Sequence, residues 1–161
     1  MAGKYMQLVL TPAVQQAEDK YFGRHQTVES APETDPLTPD EAGFIATRDS
    51  FYMATISETG WPYIQHRGGP AGFVKVLGPD LIGFADLKGN RQLVSTGNLG
   101  TSDRVALFMM DYPHRTRLKL LGHAREVHRS PASGAQFGEP GPRVDLVDER
   151  VTGRSPSRGH R

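Results

Sequence analysis

Phe51-Tyr52-Met53-Ala54-Thr55-Ile56-Ser57-Glu58-Thr59-Gly60-Trp61-Pro62-Tyr63-Ile64-Gln65-His66-Arg67-Gly68 sets the fold class. Its opening run, Phe51–Ser57, is rich in aromatic and β-branched residues. Glu58-Thr59-Gly60 then supplies turn chemistry before a second such run, so the stretch predicts a β-hairpin. Pro62, near the start of the second strand, suits an edge or entry position because it cannot donate to a ladder.

Working toward the C-terminus, Gly68-Gly69-Pro70 breaks the second strand and Gly72–Leu77 begins another. Gly78-Pro79-Asp80 turns it, and Leu81–Leu87 returns. Arg91–Leu99 has the spacing of a short helix or helical turn. Val105–Met110 is apolar at every position, which fits a central strand covered on both faces. Arg117–His128 alternates and makes a sixth strand. Toward the N-terminus, Thr38-Pro39-Asp40-Glu41 is a capping box with Pro in the first turn, predicting a helix from Pro39 to about Arg48. Thr11-Pro12 opens a second helix-compatible stretch that runs to about Gly23.

Six strands joined mostly by tight turns, with short helices at the ends, predict a mainly β fold: a small six-stranded antiparallel β-barrel. The chain of 161 residues then divides into an N-terminal helical and linker segment (1–37), a barrel domain (38–128) and a tail (129–161). The tail reads as disordered or divergent. Of its 33 residues 13 are Gly, Pro or Ser, and neither structural period persists beyond one turn around Val144–Val147.

Composition excludes several chemistries. There is no Cys, so disulfides, thiolate metal sites and a Cys nucleophile are ruled out. The net charge of +1 favours no class of partner. Acids cluster without a base in Val28–Glu41, and arginines cluster without an acid in Arg150–Arg161, as in solvated segments. No apolar run reaches the roughly 20 residues a membrane helix needs, and no leader-like succession opens the chain, so a cytoplasmic address is expected. The six histidines lack metal-ligand spacing, so no metal is expected. Arg117, Lys119, His123 and Arg125 alternate along one strand face; a solvated face explains them better than nucleic-acid binding.

Two stretches are hard to explain as scaffold. Gln65-His66-Arg67-Gly68-Gly69-Pro70-Ala71-Gly72-Phe73-Val74-Lys75 sets Gly-rich backbone beside three basic side chains, which suits an anion or a heterocycle. Phe84-Ala85-Asp86-Leu87-Lys88-Gly89-Asn90-Arg91-Gln92 runs from a strand end into a helix start, where free N–H groups and Arg91 suit a phosphate. On composition alone, both read equally well as polar turns.

From Arg48 to Gly122 the sequence resembles the flavin-nucleotide-binding branch of the pyridoxamine 5'-phosphate oxidase-like family. The resemblance is carried by Arg48-Asp49-Ser50-Phe51-Tyr52, Gln65-His66-Arg67-Gly68-Gly69-Pro70, Lys75-Val76-Leu77, Phe84-Ala85-Asp86, Gly89-Asn90-Arg91-Gln92, Gly97-Asn98-Leu99, Asp111-Tyr112 and Arg117-Leu118-Lys119. It implies a split β-barrel that binds FMN, as a homodimer with the flavins at the subunit interface. It carries cofactor binding to His66, Arg67, Gly68, Gly69, Pro70, Lys75, Asp86, Gly89, Asn90, Arg91 and Gln92, with Lys75 and the Gly89-Asn90-Arg91 turn on the phosphate. The oxidase proper has Ser-Arg-Lys at that turn, so pyridoxamine phosphate oxidation does not carry over with phosphate binding. The resemblance also implies a terminal strand with a Cys-Pro-Gln-like end, which 129–161 lacks. The expected function is a flavin-dependent oxidoreductase with an unidentified small-molecule donor or acceptor and no assigned catalytic residue. The alternatives are a non-enzymatic flavin carrier and, further off, a small nucleic-acid-binding barrel.

Overall fold

The computed structural model describes residues 3–86, 92–128, 143–148 and 157–158. Helix α1 (Gly3–Val9) precedes α2 (Pro12–Phe22) and α3 (Pro39–Ala46). Strands β1 (Ser50–Ile56), β2 (Pro62–Gly68), β3 (Lys75–Gly78) and β4 (Leu81–Asp86) follow. Then come helix α4 (Val94–Leu99) and strands β5 (Arg104–Asp111), β6 (Thr116–His128), β7 (Arg143–Asp148) and β8 (Ser157–Arg158).

Local chemistry accounts for most element ends. The Thr38 hydroxyl accepts from the Glu41 N–H while the Glu41 carboxylate accepts from the Thr38 N–H, a reciprocal cap that starts α3. Thr11 starts α2 and Gly23 ends it in the left-handed region at φ 67°. Helix α1 has no sequence signal because its cap is remote: the Asp35 carboxylate accepts from the backbone N–H groups of Lys4 and Tyr5 at 3.2 and 3.0 Å. Such a cap satisfies two of the orphan donors at a helix start.

All strand pairs are antiparallel, in the order β2-β1-β5-β6-β7-β4-β3, with β8 on β6. The mainly β expectation holds, with two corrections. Among the described residues there are eight strands rather than six, and their order is an open path from β2 to β3 in which no closed sheet is found. The extra strand that matters is β7, which lies inside the segment read as a tail. It pairs with β6 from His123↔Asp148 to His128↔Arg143 and with β4 from Leu81↔Asp148 to Asp86↔Arg143. Backbone pairing on both edges makes a strand of residues whose composition announces none. Residues 129–142, 149–156 and 159–161 lie outside the described residues.

The inner face of the sheet carries the core. Phe51, Met53, Ile82, Phe84, Val105, Leu107, Met109, Leu118, Leu120 and Ala124 are buried there, closed by Ile45 of α3 and by Val74. Phe51 and Phe84 meet edge to face at 4.9 Å. Among the described residues no helix is long and apolar enough to cross a membrane.

Candidate functional site

The glycine-rich stretch after β2 is a clasp. The N–H groups of Gly69 and Gly72 donate to the carbonyls of Asp49 and Arg48, both at 2.9 Å, and Phe73 N–H donates to Pro70. A Cβ at Gly69 would sit 2.7 Å from Phe73 Cγ; at Gly72, whose φ is +75°, it would sit 2.9 Å from the Ala46 carbonyl oxygen. These glycines let the loop close on the junction between α3 and β1. The sequence reading expects their donors to face a ligand; instead the chain's own carbonyls take them.

Strand alternation separates the next pair of candidates. β1 and β2 pair with Phe51 opposite Arg67, Tyr52 opposite His66 and Met53 opposite Gln65. Arg67 therefore lies on the core side, half-buried with its guanidinium 6.0 Å from the Phe84 ring centroid. His66 lies on the opposite, outer side, exposed, with its ring 5.5 Å from that of Tyr52. The two neighbours cannot present their side chains to one face. Lys75 is exposed at the start of β3, opposite Gly83. Asp86 ends β4, Gln92 is exposed just before α4, and Gly89, Asn90 and Arg91 lie outside the described residues.

Helix α4 (Val94–Leu99) falls within the Arg91–Leu99 stretch expected to be helical, and polar bonds that sequence reasoning missed hold it in place. Ser95 donates to Gln65 Oε1 and the Asn98 amide donates to Thr55 Oγ1, each at 2.8 Å. Thr55, Ser95 and Asn98 are all buried. The spacing of Arg91–Leu99 signalled the helix, but nothing local showed which side chains Ser95 and Asn98 would meet.

The outer face of β2-β1-β5-β6 is the most distinctive surface. The register stacks residues into cross-strand rows: His66, Tyr52, Phe108 and Lys119, then Ile64, Ala54, Ala106 and Leu121. Arg117 lies beside Met110 in the row above. Helix α3 sends Ile45 into the core and α4 bonds to inward-facing Gln65 and Thr55, so both helices pack on the other side. Ile64 stays 65% exposed, with Trp61 at 75% at the end of the same hairpin. Ala54 and Ala106 thus form a shallow, half-buried saddle flanked by aromatic and aliphatic side chains, with Lys119 and Arg117 along β6. The basic side of β6 read from sequence is one rim of it.

At the end of β5, Asp111 fixes the β5–β6 hairpin. Its carboxylate accepts from Arg48 Nη2 at 2.8 Å, and from the backbone N–H and ring nitrogen of His114 at 3.1 and 2.9 Å. The His114 backbone bond is the main reason its carboxyl titrates below the ordinary carboxylate range, with the His114 ring and Arg48 adding to it against partial desolvation. Next to it Tyr112 is 66% exposed, and the Tyr52 phenol nearby holds its hydroxyl above the ordinary tyrosine pKa.

The family model described as pyridoxamine 5'-phosphate oxidase matches residues 37–147, more than half of the chain. The chain belongs to that family. Among solved structures, this family member is similar to HupZ of Group A Streptococcus, with 12% identity, a TM-score of 0.54, and coverage of 78% of this chain and 99% of that one. A candidate pyridoxamine 5'-phosphate oxidase from Lactobacillus delbrueckii aligns with 20% identity and a TM-score of 0.51, over 70% of this chain and 89% of that one. A Clostridium acetobutylicum protein related to general stress protein 26 aligns with 12% identity and a TM-score of 0.53, over 74% and 88%. At these identities the likeness speaks to the fold. No curated protein matches the chain significantly.

Proposed function

We propose that this chain is an FMN-binding split-barrel flavoprotein of the cytoplasm, a flavin-dependent oxidoreductase that works as a homodimer. The observation that carries the reading is the pair of cross-strand rows on the outer face of β2-β1-β5-β6. A flat, amphipathic ring system fits a saddle of Ala54 and Ala106 between Tyr52 and Phe108 on one side and Ile64 and Leu121 on the other. One chain offers that ring a wall but no cover, whereas cofactor sites bury most of their ligand. A second copy using the same patch about a two-fold axis supplies the cover. When bound, the flavin supplies the electron chemistry, and the protein supplies binding, orientation and electrostatics. His66, exposed at the edge of the saddle, places a donor at the ring's polar edge. Lys75 and the Gly89-Asn90-Arg91-Gln92 segment hold the phosphate, with Asp86 beside it. Arg67, on the core side of β2, serves from behind the strand, and Gly68, Gly69 and Pro70 act as scaffold.

The test is direct. Purified protein should be yellow, release FMN by mass, and sediment as a dimer with one flavin per chain. Arg91→Ala removes a charge-assisted phosphate contact of about 1.5–3 kcal/mol, so FMN affinity should fall roughly 10- to 150-fold with the flavin-free melting temperature unchanged. A colourless protein that takes up no FMN refutes the reading. A yellow protein that NADH and NADPH both fail to bleach anaerobically refutes the enzymatic half and leaves a carrier.

A further inference from the structure

Past the start of β5, strand β6 keeps one neighbour and loses the other. Strand β5 begins at Arg104, opposite His123, whereas β6 runs on to His128 with β7 alongside it. The Ala124 N–H donates to the Asp103 carbonyl at 2.7 Å, so the backbone of Ala124 faces the β5 side. Strand alternation turns the Glu126 N–H and C=O to that same side. Among the described residues neither group has a hydrogen-bond partner there. The chain turns out of the sheet at Asp103, whose carboxylate is 2.9 Å from the His123 ring nitrogen. The continuation of the β5 lane is a cavity of about 450 Å³, with Leu99 and Gly100 at the end of α4 on one side and Ala124, Arg125 and Glu126 on the other. That volume lies within the range of ligand-binding clefts.

We propose that this gap beside β6 binds an extended peptide segment of another protein, added to the sheet antiparallel to β6 as β5 is. A free N–H and C=O on a strand edge are a template for a further strand, and one peptide residue pairs with Glu126 through two backbone hydrogen bonds. The charges beside the lane choose the sequence. Ala124 is buried in the core, so Glu126 lies on the same inner face, while Arg125 lies with His123 on the outer one. Opposite charges are favoured across a strand pair. The peptide residue opposite Glu126 is therefore basic, its stem along Leu99, and the next residue, opposite Arg125, is acidic. The site lies beyond the rows of the outer face and does not depend on the flavin reading.

Isotope-labelled full-length protein, titrated with acetyl-Thr-Lys-Asp-Thr-amide and followed by backbone amide shifts, gives the test. The Glu126 amide should move most, with Ala124 and Gly100 beside it. The same peptide methylated on the Lys backbone nitrogen cannot donate to the Glu126 carbonyl and should bind about tenfold more weakly. Exchanging Lys and Asp within the peptide sets like charges opposite each other and should weaken binding about fivefold. Glu126→Lys changes a half-buried side chain at the strand edge, leaves the backbone lane intact, and should shift the preference to acetyl-Thr-Asp-Asp-Thr-amide. A Glu126 amide that stays still at millimolar peptide overturns the site. Equal binding of the methylated peptide overturns strand addition, even where the other shifts appear. Equal binding of both charge orders to the wild type overturns the assigned sequence, and so does an unchanged preference in folded Glu126→Lys.

Discussion

Breaking one buried bond and then deleting both partners measures what holds α4. This helix has six residues, a start without a side-chain cap, and Leu93 before it at φ 53°. A helix that short is not self-supporting in water, and a left-handed non-glycine residue costs of order 1–2 kcal/mol more. The bond from Asn98 to Thr55 Oγ1 is 2.8 Å long between residues 8% and 1% exposed. Thr55→Val keeps the side-chain shape and leaves the Asn98 amide buried without its acceptor. That desolvated donor should cost about 2 kcal/mol, within the ~1–3 kcal/mol typical of an orphaned buried group. For a chain of this size the melting temperature should drop by roughly 4–8 °C. Asn98→Leu orphans the Thr55 hydroxyl and should cost a similar amount. The double variant leaves no orphan and should lie within about 1 kcal/mol of wild type, because matched apolar groups can replace a hydrogen-bonded pair at little net cost. Urea unfolding of flavin-free protein for all four members of the cycle gives the coupling directly. A double variant as unstable as the sum of the two singles refutes the reasoning, since α4 would then be held by something other than this bond.

Two further outcomes follow from the fold. Because the Asp111 carboxyl is held below its ordinary range, chiefly by the His114 backbone N–H, its contribution is fully present above the ordinary carboxylate value near pH 4 and is lost as the pH falls through the depressed one. Wild-type urea midpoints should therefore decline between pH 4 and pH 2 more steeply than those of Asp111→Asn; parallel profiles would discount that linkage. Ending the chain at His128 removes β7 and with it the ladders to β4 and β6, so the shortened protein should be insoluble or melt far lower. Retention of the full-length melting temperature after that truncation would show β7 to be dispensable.

Much of the fold was legible because its signals are local. The capping box at Thr38-Pro39-Asp40-Glu41, the hairpin around Glu58-Thr59-Gly60 and the alternation of Arg117–His128 depend on neighbours within a few residues, and each recurs within a residue or two of its expected bounds. Where sequence reading failed, the deciding partner was distant. Helix α1 takes its cap from Asp35, and β7 becomes a strand by pairing with β6 and β4. The glycines after β2 were visible as glycines, but only the folded chain shows Gly69 against Phe73 and Gly72 against the Ala46 carbonyl.

Composition and local pattern suffice for the absence of cysteine chemistry, a mainly antiparallel β chain and the basic alternation of β6. Tertiary structure alone decided which of those residues share a surface. His66 and Arg67 are adjacent in the chain and part company across the sheet, whereas Tyr52 and Phe108 are far apart in the chain and pair directly across β1 and β5. The physical reason is the period of two in a strand combined with register. Covalent neighbours are sent to opposite faces, and hydrogen-bonded ladders choose the residues that meet on each.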